Sequence, residues 1–248
     1  MEYDEFLTKI RNLSQMGFVR SHRRGPTGIG KTLEDHLGIK ENNISGPDFG
    51  TYELKSSRRH VRSMVTLFTK TPSPRGAIKR LVESFGYVKE ENLDDTVQTT
   101  LNGDVEEAMT SPEDKELHVT VDALRPNSVG LQLGFVENRL YFLNNKGVEA
   151  YYDEDSLRKA FEKKYKRMIF VLADHKKQRG QEFFHYNEAY RLEGFGFQTF
   201  SRLIEDGLLK VDLRVGHYPD GRLHDHGTGF RVFPRHLPLC FDYVERIV

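Results

Sequence analysis

A mixed α/β, or α+β, fold is what three features of this sequence predict. Segments with apolar residues at helical spacing are interspersed with short runs in which polar and apolar residues alternate. One continuous apolar run, MIFVLA at 168–173, is typical of a strand buried on both faces. The composition, 37% hydrophobic and 30% charged with 9 prolines, is that of a globular chain. At 248 residues a sizeable core is possible, and we expect one compact chain with two lobes.

The elements follow in order. Residues 3–16 (YDEFLTKIRNLSQM) have the period of a helix, and 32–37 (TLEDHL) predict another, stopped by Gly38. YELKS (52–56) and MVTLFT (64–69) read as strands, and 76–85 (GAIKRLVESF) as a helix. Glu90 to Pro112 is polar and loop-like. LHVTVDAL and VGLQLGFVENRLYFLNN predict antiparallel strands, followed by a helix over 155–166 and then the buried MIFVLA strand. EFFHYNEAYRL reads as a hairpin, QTFSRLIEDG as a helix, and LLKVDLRVG and TGFRVFP as strands.

No apolar run approaches the roughly 20 residues that span a bilayer. The acidic start MEYDEFL lacks the features of a secretory signal, so a cytoplasmic protein is expected. The single cysteine, Cys240, reads as a buried, inert thiol. Net charge is zero but unevenly spread. Gly17 to Arg80 holds 13 Lys and Arg against 5 Asp and Glu, and Val88 to Glu116 holds 2 against 10. Such asymmetry suits a face that meets a polyanion, although charge runs also serve simply as solvated surface.

GPTGIGKT (25–32) matches the phosphate loop of nucleotide hydrolases. That loop needs a buried strand to deliver its glycines to a helix N-terminus. Here four of the five residues before Gly25 are charged or histidine, a poor central strand. Asp174, ending the apolar strand, is the one feature that would suit a magnesium-assisting acid in a hydrolase of this kind.

A second constellation lies at PDFGTYELK (47–55), with the spacing P-D-x4-E-x-K. On a strand, Glu53 and Lys55 share a face while Tyr52 and Leu54 turn into packing. Asp48, at the entering turn, can converge with Glu53 on one hard cation, and two carboxylates plus waters and a phosphate oxygen suit Mg2+. Lys55 can orient an attacking water and offset charge on the phosphate. Glu34, 14 residues before Asp48, can add a third acid. The SSRRHVR tract that follows, with Arg58 and Arg59, supplies cations for a phosphate backbone. The plainer reading is a turn aspartate and an exposed strand edge with a weak ion pair.

With GPTGIGKTLEDHLGIKENN, PDFGTYELK and VTLFTKTPSPRGA, and with KVDLRVGHY and HDHGTGFRV near the C-terminus, the sequence resembles the MvaI/BcnI family of restriction endonucleases. These belong with the MutH mismatch-repair nickase in the PD-(D/E)XK nuclease superfamily. The resemblance implies a restriction-endonuclease-like core plus a smaller DNA-recognition lobe: a catalytic lobe mainly over 1–110 and 155–206, and a recognition lobe mainly over 111–154 and 207–233. It implies Asp48 and Glu53 as metal ligands, Lys55 as catalytic lysine and Glu34 as accessory acid. The glycine-rich stretch becomes a basic loop near DNA backbone, with Lys31 as a phosphate contact.

Thr69, Lys70, Asp212, Arg214, Tyr218, His224, Asp225, His226 and Arg231 are implied as DNA contacts. Arg can grip guanine O6 and N7, Asp can accept from cytosine N4, and His can do either. Asp212 and Arg214 could instead pair with each other. HDH with His217 falls short of a convincing zinc site, which wants three or four ligands. Thr69 and Tyr218 match the branch of the family that reads CCWGG, whereas PDGRL departs from it. The expectation is a Mg2+-dependent type II restriction enzyme acting on double-stranded DNA, a monomer that cuts one strand at a time. A cognate methyltransferase would belong to the same system without being a physical partner. The rivals are a MutH-like nickase, a DNA-binding module with a decayed site, and an ATPase.

Overall fold

The computed structural model describes residues 1–39, 48–61, 63–88, 115–163, 167–218 and 220–248. Pro47 of PDFGTYELK, the whole polar stretch from Glu90 to Pro112 and the last turn of the helix expected over 155–166 lie outside the described residues. The chain divides into two compact units: Met1–Thr66 with Arg158–Leu203 and Val232–Val248, and Leu67–Leu157 with Ile204–Arg231. Residues 67–88 thus group with the second unit and the C-terminal stretch with the first.

The first unit is built on a five-stranded mixed sheet. Its strands are β1 (Val19–Arg20), β2 (Tyr52–Arg58), β8 (Arg167–Gln178), β9 (Gln181–Glu193) and β13 (Tyr243–Arg246). Their order is β1-β9-β8-β2, with β13 also on β9. β2 runs parallel to β8, with Glu53 opposite Met168 and Lys55 opposite Phe170, while β8 and β9 form a long antiparallel hairpin. Helix α1 (Tyr3–Gln15) buries Phe6, Ile10 and Leu13, one face at helical spacing. It joins α2 (Gly28–Leu37) over a core that includes Leu54, Ile169, Val171, Phe184 and Tyr186. Each such side chain, fully buried, contributes about 1.5–3 kcal/mol. α2 ends at Gly38, whose φ of 73° is the left-handed cap that the sequence predicts.

The apolar run 168–173 is the buried strand expected, and β8 continues from it through the polar residues to Gln178. One expectation is corrected here. EFFHYNEAYRL is no hairpin, because it lies within one 13-residue strand, β9, that pairs with β8. Cross-strand backbone pairing, not side-chain pattern, makes 174–178 extended.

The second unit centres on β10 (Leu209–His217). That strand pairs with β4 (Leu117–Val121) and β11 (Leu223–Asp225), and its sheet continues through β12 (Gly229–Val232) to β3 (Val65–Thr69). Leu209, Val211, Leu213 and Val215 are fully buried. α3 (Ala77–Phe85) packs an apolar face of Ile78, Leu81, Val82 and Phe85. A small sheet of β5 (Gln132–Val136), β6 (Arg139–Leu143) and β7 (Tyr151–Asp153) completes the unit. The remaining helices are α4 (Glu154–Glu162) and α5 (Phe197–Glu205), and a 3-10 helix over Pro234–Cys240 precedes β13. Cys240 is fully buried in it, and that burial pushes its thiol up to about 12.

Candidate active site

Among the described residues β2 ends its sheet, paired only to β8. Its alternation sends Tyr52 and Leu54 into the helix-covered core. Glu53 and Lys55 take the other face. Glu53 is 3% exposed, and its carboxylate meets the Lys55 ammonium at 2.6 Å. A buried carboxylate is tolerable only with such a partner. The turn before the strand is closed by reciprocal backbone bonds between Phe49 and Tyr52, 3.2 and 2.8 Å, with Gly50 at φ 53°. This turn seats Asp48, whose Oδ2 accepts the Leu54 N–H at 2.6 Å. Asp48 is therefore fastened to the backbone between Glu53 and Lys55.

Glu34 comes from α2. It lines a cleft of about 330 Å³ with Lys55, Lys31, Arg23, Gly30 and Ser56. Three hydrogen bonds hold the helix and the turn before it there. The Tyr186 hydroxyl donates to the Ile29 carbonyl at 2.7 Å, and the Arg58 guanidinium donates to the carbonyls of Pro26 and Gly25 at 3.0 and 3.1 Å. Arg58 also forks onto Glu182 at 2.7 and 2.8 Å, and this hydrogen-bonded pairing holds the Glu182 carboxyl below its usual range. Arg59 likewise meets Asp174 and Asn187, each at 2.8 Å, and Glu188. Both arginines are thus turned onto groups of their own unit, with side chains 16% and 25% exposed.

The glycine-rich stretch does not form a nucleotide-binding loop. The strand before it, β1, has two residues and lies at a sheet edge, and the helix already begins at Gly28. Gly28 is needed for close approach, since a Cβ there would stand 2.3 Å from the Arg23 carbonyl oxygen. Lys31 reaches Asp35 at 2.8 Å, and that bond, with a second from His22, lowers the Asp35 carboxyl. Asp174 does not end its strand. Burial raises its carboxyl, but hydrogen bonds from Asn187 and Arg59 outweigh that and hold it low.

In the second unit Asp212 is nearly buried. Its Oδ2 lies 2.5 Å from Arg231 Nη1, its Oδ1 accepts the Thr120 hydroxyl at 3.2 Å, and Arg214 Nε stands off at 3.8 Å. Arg214 donates instead to the Gly227 carbonyl at 3.1 Å. The HDHG segment is a tight turn in which Asp225 Oδ1 accepts the Gly227 N–H at 2.8 Å. At Gly227, φ is 90° and a Cβ would meet Thr69 Cγ2 at 3.1 Å, so Thr69 lies against this turn. Lys70 is tied to it by a backbone bond to Thr228. The ring of Tyr218 stacks on His224 at 4.2 Å, and His224 meets His226 at 3.9 Å.

Sequence reasoning missed His118 and Thr120. His118 sits opposite Arg214 in the β4–β10 register, its ring 6.3 Å from that of His226. Only a long-range strand pairing puts it there, and no local pattern announces it. Among the described residues no three His, Cys, Asp or Glu gather in a way that could hold a metal ion.

A mixed sheet whose end strand presents a turn aspartate and a buried Glu–Lys pair, in a chain with a second unit that displays a row of Arg, His and Tyr, defines a nuclease of the restriction-endonuclease type. The MvaI/BcnI restriction endonuclease family matches residues 7–241, and the chain belongs to it. It is a type II site-specific deoxyribonuclease. The solved complex of restriction endonuclease MvaI with its cognate DNA is similar at 30% identity over 100% of both chains, with a TM-score of 0.79. MvaI in the absence of DNA is similar at 30% identity over 100% of this chain and 99% of that one, with a TM-score of 0.56. No curated protein matches the chain. No helix among the described residues is long and apolar enough to cross a membrane.

Proposed function

We propose that this enzyme is a Mg2+-dependent endonuclease that acts as a monomer on double-stranded DNA, cutting one strand at a time at a CCWGG-like site. The observation that carries the catalytic part is the arrangement on β2: Glu53 against Lys55 at 2.6 Å, with Asp48 bonded to the backbone between them. Asp48 and Glu53 would hold the ion. They are hard oxygen donors, and Mg2+ needs only one or two carboxylates because it keeps much of its water. When bound, the ion supplies a charge that lowers the pKa of a coordinated water and offsets charge on the phosphate. Lys55 orients the attacking water and stabilises the developing charge, and Glu34, in the same cleft as Lys55, is the accessory acid.

Duplex DNA as substrate is supported by the solved complex of MvaI with cognate DNA. For the site, Thr69 against the HDHG turn and Tyr218 on His224 border one row with Asp212, Arg214, Asp225, His226 and Arg231, and those residues would read base edges. Supercoiled plasmid incubated with Mg2+, with the cut ends sequenced, tests the whole. Nicked circle should appear before linear DNA, and the ends should map to CCWGG. Linear product without any nicked intermediate would sink the one-strand-at-a-time mechanism, and a different sequence at the ends would sink the assigned site.

A further inference from the structure

The far end of the β8–β9 hairpin carries chemistry that the cleft does not use. β2 stops pairing at Ala173, and the hairpin register shifts between Leu172 and Asp174. Beyond that bulge β8 pairs among the described residues only with β9, which carries β1 at Phe183 and Phe184, so the hairpin becomes a two-stranded ribbon only at its tip; bulges re-aim strands in this way. The ribbon tip reads HKKQRG, residues 175–180, and every one of them is exposed. The acids at its base are turned inward, Asp174 to Arg59 and Glu182 to Arg58. Lys177 and Arg179 have no carboxylate within ion-pair distance among the described residues. The Lys176 ammonium lies over the Phe18 ring at 4.1 Å, which fixes the charge in place without neutralising it.

The segment before the glycine-rich turn runs beside this ribbon. The Ser21 N–H donates to the Glu182 carbonyl at 2.8 Å, and Gln181 Nε2 donates to the Ser21 carbonyl at 3.2 Å. Arg20, Arg23 and Arg24 are therefore carried alongside, all exposed, and Arg23 also lines the cleft with Lys31 and Lys55. Cations thus lie both beside the cleft and at the ribbon tip. Like charges held together repel unless a polyanion lies across them.

We propose that the β8–β9 ribbon, with Lys176, Lys177 and Arg179 at its tip and Arg20 and Arg24 beside it, is an arm that grips the phosphate backbone of duplex DNA. This rests on the proposed action on double-stranded DNA. A charged ribbon of this kind adds affinity but no sequence preference, because phosphate is the same at every step.

The test compares intact enzyme with the double variant Lys177→Ala/Arg179→Ala, whose side chains are exposed and whose melting temperature should not change. Binding to one duplex with the cleaved site and one of unrelated sequence is measured across a range of salt. The slope of log affinity against log salt should become shallower by about 0.9 for each cation removed, equally on both duplexes. The cleavage rate at saturating enzyme should stay as in the parent. An unchanged slope, or a loss confined to the duplex carrying the site, overturns the arm; an acidic protein as the true partner would give the former. If the parent enzyme neither binds nor cuts duplex DNA, the proposed function itself fails, and the arm with it.

Discussion

Glu53-x-Lys55 on β2 and Asp212-x-Arg214 on β10 are the same device in sequence, an acid and a cation two residues apart on one strand face. In β2 the two meet at 2.6 Å. In β10 they stand 3.8 Å apart, and Asp212 makes its tighter contact, 2.5 Å, with Arg231 of β12, while Thr120 of β4 takes its other oxygen. The difference lies in the neighbours. β2 ends its sheet, and opposite Glu53 and Lys55 on β8 lie apolar Met168 and Phe170, so that strand brings no rival charge. β10 is flanked by strands that bring rival polar groups. Spacing decides which face a side chain takes; the adjoining strands decide its partner.

The largest effect expected from this contrast is at Lys55. Lys55→Ala should lower the rate of plasmid cleavage by about 10²–10³-fold with DNA affinity nearly kept, since it removes a charge aimed at the reacting phosphate. Near-normal cleavage in that variant would mean that the pair on β2 is only structural. Next comes Arg231→Ala, which strips Asp212 of its main partner. It should relax discrimination at one base pair, at a cost of about 1–3 kcal/mol, seen as star cleavage on a panel of single-substitution sites. A uniform loss on all sites would assign Arg231 to folding instead. The smallest effect belongs to Lys31→Ala. It breaks a helix pair with Asp35 worth about 0.3–0.5 kcal/mol, so a slightly lower melting temperature and cleavage within a few-fold of the parent are expected. Complete loss of cleavage would give the glycine-rich stretch a catalytic part that its geometry does not suggest.

The sequence made some of this plain and hid the rest, for physical reasons. Alternation in YELK placed Leu54 in the core and Glu53 beside Lys55, because a strand has a period of two wherever it lies. Gly38 announced a helix end because few other residues accept its φ. The ribbon at 174–178 was hidden, since HKKQ is extended through its pairing with β9 and not through its own composition. Arg58 and Arg59 read as DNA contacts because cations beside an acidic motif invite that. Glu182 and Glu188, more than 120 residues away, take them inward through a register no local window contains. His118 was missed for the same reason, as its place depends on β4 lying against β10.

Arg58 also gives the look-alike phosphate loop a different meaning. By reaching the carbonyls of Gly25 and Pro26 from the end of β2, it bolts the start of the Glu34 helix to the strand of Lys55, so the turn from Arg23 to Thr27 serves as a spacer of set length. One residue more or fewer in that spacer would carry Glu34 along or around the helix axis, out of step with the lysine it faces. Insertions and deletions should therefore be scarce there among working enzymes of this family, even though the turn lies open to solvent, where loops ordinarily tolerate them.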